Sequence, residues 1–149
     1  MKHLGKMLFS AVFLCVLCLC CTLFAAAETT VTVDSASGLK SAFTTLSSTG
    51  GRVTLTGNIS ITSALSLPAN AEKITLDGGG HTVTLGANLA FNGDVDVDNI
   101  VFTPTKTYRA ILCNGNTVHF GSKITCNAYE DNYPSIMAGY TLSTAFPGG

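Results

Sequence analysis

The chain has 149 residues, of which 46% are hydrophobic, and eight basic against nine acidic side chains leave it at a formal net charge of −1. That balance excludes a basic nucleic-acid or anionic-membrane binder, and the apolar share excludes a disordered chain. Trp is absent and charged residues make up only 11%, a composition of strands and turns rather than of a helical bundle.

Residues 1–27 read as a signal peptide. Lys2, His3 and Lys6 form a basic start, Met7 to Phe24 is a mostly apolar run, and Ala25-Ala26-Ala27 supplies small residues for cleavage between Ala27 and Glu28. Four of the six cysteines leave with it, and the remaining charges, six basic against nine acidic, give a net charge of −3. The mature form is then expected to be secreted or held at the cell surface, with no membrane segment and no nucleic-acid partner. Residues 28–51 read as an N-terminal cap, and 52–149 as one repetitive domain that is incomplete at its C-terminal end.

A β-prone lead, Thr30-Val31-Thr32-Val33, precedes the one segment of helical period, where Leu39, Ala42, Phe43 and Leu46 fall on one stripe. Asp34, Ser35 and Ser37 offer N-cap side chains and Gly50-Gly51 stops the segment, which predicts a helix over 37–47. So short a helix must lay its stripe on something else.

After Gly51 the period becomes two. First strands begin at Val53, Ile74, Val95 and Val118, spaced 21, 21 and 23 residues apart, and each period holds three short alternating runs. A repeat of this length marks a solenoid, in which a unit buries its apolar side only by stacking on the next, with equivalent strands pairing in parallel about 4.8 Å apart. A β-sandwich of hairpins is disfavoured because the second period copies the first strand by strand and the gaps within a period lack the Asn-Gly pairs of two-residue hairpins; Asn114-Gly115 falls between periods.

The cap helix, together with Gly51-Arg52-Val53-Thr54-Leu55-Thr56-Gly57-Asn58-Ile59 and Ile74-Thr75-Leu76-Asp77-Gly78-Gly79-Gly80-His81-Thr82-Val83, resembles the right-handed parallel β-helix superfamily called pectate-lyase-like. The resemblance covers about residues 31–125. It implies an all-β, right-handed parallel β-helix of about four coils, with the α-helix plugging its N-terminal end.

Three groups of residues are candidates for chemistry. Alternation in Asp94-Val95-Asp96-Val97-Asp98 sends two Val inward and three Asp outward, about 7 Å apart; lyases of the superfamily bind Ca²⁺ on such a face, so Asp94, Asp96 and Asp98 are metal candidates set against a merely solvated face. Arg52 and Lys73 precede first strands, where a lyase would need its base. Tyr108, Tyr129 and Tyr133 fall in longer connections, where aromatic rings stack on sugars, and are the ligand-binding candidates. No catalytic residue is assigned: the Asn-Thr-Asp, Asp-Asp, His-Gly and Arg-Ile-Lys motifs of the related hydrolases are missing from this sequence.

Asn58 and Asn99 occupy equivalent turns and are expected to form a structural ladder. Asp77 to His81 reads as a turn with positive-φ positions. Cys113 and Cys126 admit either buried thiols or a disulfide.

The expected function is a non-catalytic adhesion or glycan-binding module with a polysaccharide or cell-surface glycan as partner and no cofactor. The alternatives are a Ca²⁺-dependent polysaccharide lyase or a glycoside hydrolase fragment, and a structural spacer of an extracellular protein.

Overall fold

A computed structural model of the chain describes residues 28–105 and 111–127, and the backbone of 136–137. The expected signal peptide, including Ala27, therefore lies outside the described residues. Thirteen strands and one helix are described, in the order β1 (Thr30–Val33), α1 (Ala36–Leu46), β2 (Gly51–Leu55), β3 (Ile59–Ile61), β4 (Leu65–Ser66), β5 (Ile74–Asp77), β6 (Thr82–Leu85), β7 (Leu89–Ala90), β8 (Val95–Asp98), β9 (Ile100–Pro104), β10 (Ile111–Leu112), β11 (Val118–Phe120), β12 (Ile124–Cys126) and β13 (Ile136–Met137).

From β2 on, the strands are dealt in rotation to three sheets. The first is ordered β1-β2-β5-β8-β11, the second β3-β6-β9-β12 and the third β4-β7-β10-β13, and every pairing is parallel. Consecutive strands thus lie in different sheets, and each strand bonds to the one a full circuit away.

The turn at Asn114-Gly115 shows the consequence. Both residues have positive φ, 47° and 80°, and Asn116 donates its N–H to the Cys113 carbonyl at 2.9 Å, the geometry of a hairpin turn. It joins β10 to β11 without pairing them, because each already has partners in its own sheet.

Register puts like on like. Val31, Val53, Leu76, Val97 and Phe120 form one inward column, and Ile59, Val83, Phe102 and Cys126 another. One apolar cluster runs from Val33 and the helix through Ile111, and no polar or charged side chain is buried among the described residues. Val118, Phe120, Ile124 and Cys126 of the last described circuit pack against it but remain half-buried.

The helix closes the opposite end. Ser35 accepts the Gly38 N–H on its hydroxyl at 3.2 Å as N-cap, Gly50 at φ 65° donates to the Leu46 carbonyl at 2.8 Å, and the stripe Leu39, Ala42, Phe43 and Leu46 is buried as its spacing predicts. Phe43 reaches past the first circuit to Phe91, with ring centroids 6.3 Å apart and planes tilted by 50°. The lead strand is more than a lead: β1 pairs with β2 from Thr30↔Arg52 to Val33↔Leu55, adding one strand to the first sheet ahead of the first full circuit.

Phe91 is fully buried where the helix and the second circuit meet. Phe91→Ala is expected to cost about 3–5 kcal/mol, read as a lowered urea midpoint, whereas Thr54→Ala on the outer face should stay within about 0.5 kcal/mol; equal effects would contradict this packing.

Candidate functional site

The outward residues of the first sheet include four charged side chains, Arg52, Asp77, Asp96 and Asp98. In register, one column reads Thr30, Arg52, Thr75, Asp96, His119 and the next Thr32, Thr54, Asp77, Asp98. Parallel pairing therefore brings two of the candidate features onto one surface, Arg52 and the Asp run, and adds a residue sequence reasoning assigned to a turn. Asp77 ends β5 and stacks directly on Asp98.

Each carboxylate has its own work. Arg52 lies between Glu28 and Asp77, 3.3 Å from Glu28 Oε2 and 3.4 Å from Asp77 Oδ2. Asp77 Oδ1 also accepts the Gly79 N–H at 2.9 Å, and Asn99, at φ 55°, donates its amide to the same oxygen at 3.4 Å. Asp96 pairs with Lys73 at 2.7 Å and faces His119 Nδ1 at 3.6 Å. Lys73 and His119 are 62% and 72% exposed, so water screens both contacts and the pair adds little stability.

Asp94 and Asp98 do something different. Asp94 Oδ1 accepts the Thr117 N–H at 2.8 Å, and Asp98 Oδ1 accepts those of Asn99 at 2.8 Å and Lys123 at 3.1 Å. Thr117 and Lys123 belong to the next circuit, in turns where the backbone N–H has left the ladder. Gly121 presses so closely on Asp98 that a Cβ there would stand 2.6 Å from the carboxyl carbon. The three Asp proposed from alternation do share a face, but their oxygens point to separate partners. Among the described residues, no three His, Cys, Asp or Glu side chains form a group that could hold a metal ion.

The turns hold a second set of cross-circuit bonds, partly foreseen. Asn58 Oδ1 accepts the Thr82 N–H at 2.9 Å, a cross-circuit tie as expected, but only Asn99 of the expected pair takes the left-handed conformation. The longer ladder lies beyond the third sheet: Asn114 donates its amide to Asn92 Oδ1 at 2.7 Å, and Asn92 donates to Ser66 Oγ and the Leu67 carbonyl, each at 2.7 Å. Asn116 adds a bond to the Phe91 carbonyl at 3.2 Å, and Asn70 one to the Asp94 carbonyl at 2.9 Å. The signal was in the sequence: Asn92-Gly93 and Asn114-Gly115 are the same dipeptide one period apart.

Asn70 Oδ1 is the one buried side-chain polar atom without a hydrogen bond among the described residues. Gly93 packs against it so tightly that a Cβ would overlap the oxygen at 1.7 Å. Only a glycine fits there, and its Cα–H faces the oxygen.

The second sheet presents the other kind of face. Ser60, Thr84 and Thr103 stand in one outward column, and Thr82, Val101 and Thr125 in its neighbour. Its four strands contain no ionisable side chain other than the Cys126 thiol.

Tyr108, Tyr129 and Tyr133 lie outside the described residues. Cys113 and Cys126 are free thiols, one after β10 in the third sheet and one ending β12 in the second, and burial pushes both thiols above their ordinary pKa.

Two outcomes test this assignment. Asp98→Ala is expected to cost about 1–3 kcal/mol by orphaning two backbone donors, and Asp96→Ala less than about 1 kcal/mol, both read from denaturant melts; a larger loss at Asp96 would contradict it. The thiols release their protons more readily unfolded than folded, so stability should fall as pH rises above the ordinary thiol value of about 8.5. A Cys113→Ala, Cys126→Ala variant that keeps the same alkaline slope would show that the thiols are not its source.

In comparison with known proteins, the chain matches no family model, no curated protein and no solved structure.

Proposed function

We propose that this chain is an exported right-handed parallel β-helix, on the pectate-lyase-like plan, that serves as a non-catalytic adhesion or glycan-binding module outside the cell or on its surface. The rotation of strands among three parallel sheets and the plugging helix support the architecture. The basic start and apolar run of residues 1–27 support export.

The observation that carries the function is the outer face of the second sheet. Ser60, Thr82, Thr84, Thr103 and Thr125 line it with hydroxyls, repeating about 4.8 Å between circuits and about 7 Å along a strand. Hydroxyls both donate and accept, as sugar hydroxyls do, and a sheet holds them in place before the ligand arrives. On the first sheet, Asp94 and Asp98 are occupied in tying circuits together, which favours a structural over a catalytic role for them.

The Lys73, Asp96 and His119 cluster favours a second reading, a polysaccharide lyase, because a base and a carboxylate stand on one exposed face.

The full chain, expressed with its own residues 1–27, is expected in the medium with Glu28 as its first residue. Retention by insoluble and soluble polysaccharides should then be measured for that protein and for a Thr84→Arg, Thr103→Arg variant. Binding that this variant loses and Asp96→Ala keeps supports the hydroxyl face. Ca²⁺-dependent binding of acidic glycans by calorimetry, lost in Asp96→Ala and kept in the Arg variant, would replace this reading with the lyase.

A further inference from the structure

Two Asn-Gly dipeptides stand one circuit apart, and the fold treats them differently. At Asn92-Gly93 the amide is tied at both ends, donating to Ser66 Oγ and the Leu67 carbonyl and accepting from Asn114, while Gly93 is buried against Asn70. At Asn114-Gly115 both residues are exposed and nothing lies within 4 Å of where a Gly115 Cβ would be. The Asn114 amide has one tie, its bond to Asn92, and the Gly115 N–H has no acceptor among the described residues.

We propose that Asn114 is a site of spontaneous deamidation in the folded protein and that Asn92 is shielded from the same reaction. The Gly115 nitrogen attacks Asn114 Cγ and gives up its proton. The Cγ–Nδ2 bond breaks, and Nδ2 leaves as ammonia with that proton. Water then opens the cyclic imide at one carbonyl or the other, giving isoaspartate or aspartate. Glycine favours the attack because no side chain screens its nitrogen. The conformational change needed is confined to an exposed turn held by Asn116, whose N–H donates to the Cys113 carbonyl at 2.9 Å and whose amide donates to the carbonyls of Cys113 at 3.1 Å and Asn114 at 3.4 Å. At Asn92 the same change would have to break three hydrogen bonds of 2.7 Å and lift Gly93 off Asn70.

The product acts on the ladder. A carboxylate at 114 has no donor for Asn92 Oδ1, so the top rung is lost. The isoaspartate form also inserts a methylene into the main chain just before β11. Deamidation therefore loosens the tie between the second and third circuits, and in the isoaspartate form also the connection from the third to the fourth, while leaving the helix-capped end untouched.

The test is incubation of the full mature chain in mildly alkaline buffer, with peptide mapping by mass spectrometry and an isoaspartate methyltransferase assay over time. The expected result is conversion of Asn114 at least about tenfold faster than Asn92 in the folded chain, the protection that local closure gives. In denaturant the two should convert at similar rates. Equal rates in the folded chain, or an Asn114 that stays intact while the unfolded chain reacts, would overturn the proposal. An Asn114→Asp variant reads the consequence separately: a lowered melting temperature is expected, and an unchanged one would remove the proposed effect on the ladder.

Discussion

Parallel pairing in register across a full circuit is the constraint on which everything else depends. A strand such as β5, only four residues long, gains its hydrogen bonds from β2 and β8, some 21 residues away on either side, and none from its neighbours in sequence. Once Val53 must lie under Leu76 and Leu76 under Val97, every alternate residue is committed to the interior, and a slip of one position would send the whole apolar column to solvent. The interior holds no buried polar side chain among the described residues, so alternation alone would tolerate a slip of two positions, and the turns add the specificity against it.

That is where the polar side chains are used. Asn58, Asp94, Asp98 and Asn92 each bond a circuit other than their own, at places where the main chain bends between sheets and its N–H and carbonyl groups leave the ladder. The carboxylates that look most like a ligand set are, in two cases of three, acceptors for these backbone donors. Asp96 is the exception, and its partners Lys73 and His119 are exposed side chains whose pairing leaves it accessible. A face built for chemistry and a face built for register draw on the same residue types, and only the identity of the hydrogen-bond donor separates them.

The two ends of the stack are finished differently. At the beginning, α1 covers the interior with four apolar residues, and Phe43 extends the closure down to Phe91 of the second circuit. At the far end of the described residues, Val118, Phe120, Ile124 and Cys126 still point to the interior but are only half-buried. Packing therefore tightens from the fourth circuit towards the helix, and the exposed turn at Asn114-Gly115 sits on the looser side.

The sequence by itself determined the period, the inward residues and the cap, because a 21-residue repeat of alternating Val, Ile and Leu has one physical use, and a lone helical stripe must find an apolar surface. It also carried the Asn-Gly recurrence, although dipeptide spacing gains meaning only once the circuits are stacked. Only the tertiary structure decided that Thr30–Val33 joins the first sheet, since four alternating residues pair with whatever edge is nearest. The same holds for Asp77: nothing local distinguishes a turn residue from one stacked on Asp98. Which carboxylate oxygens are spent on backbone donors is likewise a matter of where the next circuit's turns fall, and a pattern of alternation has no term for that.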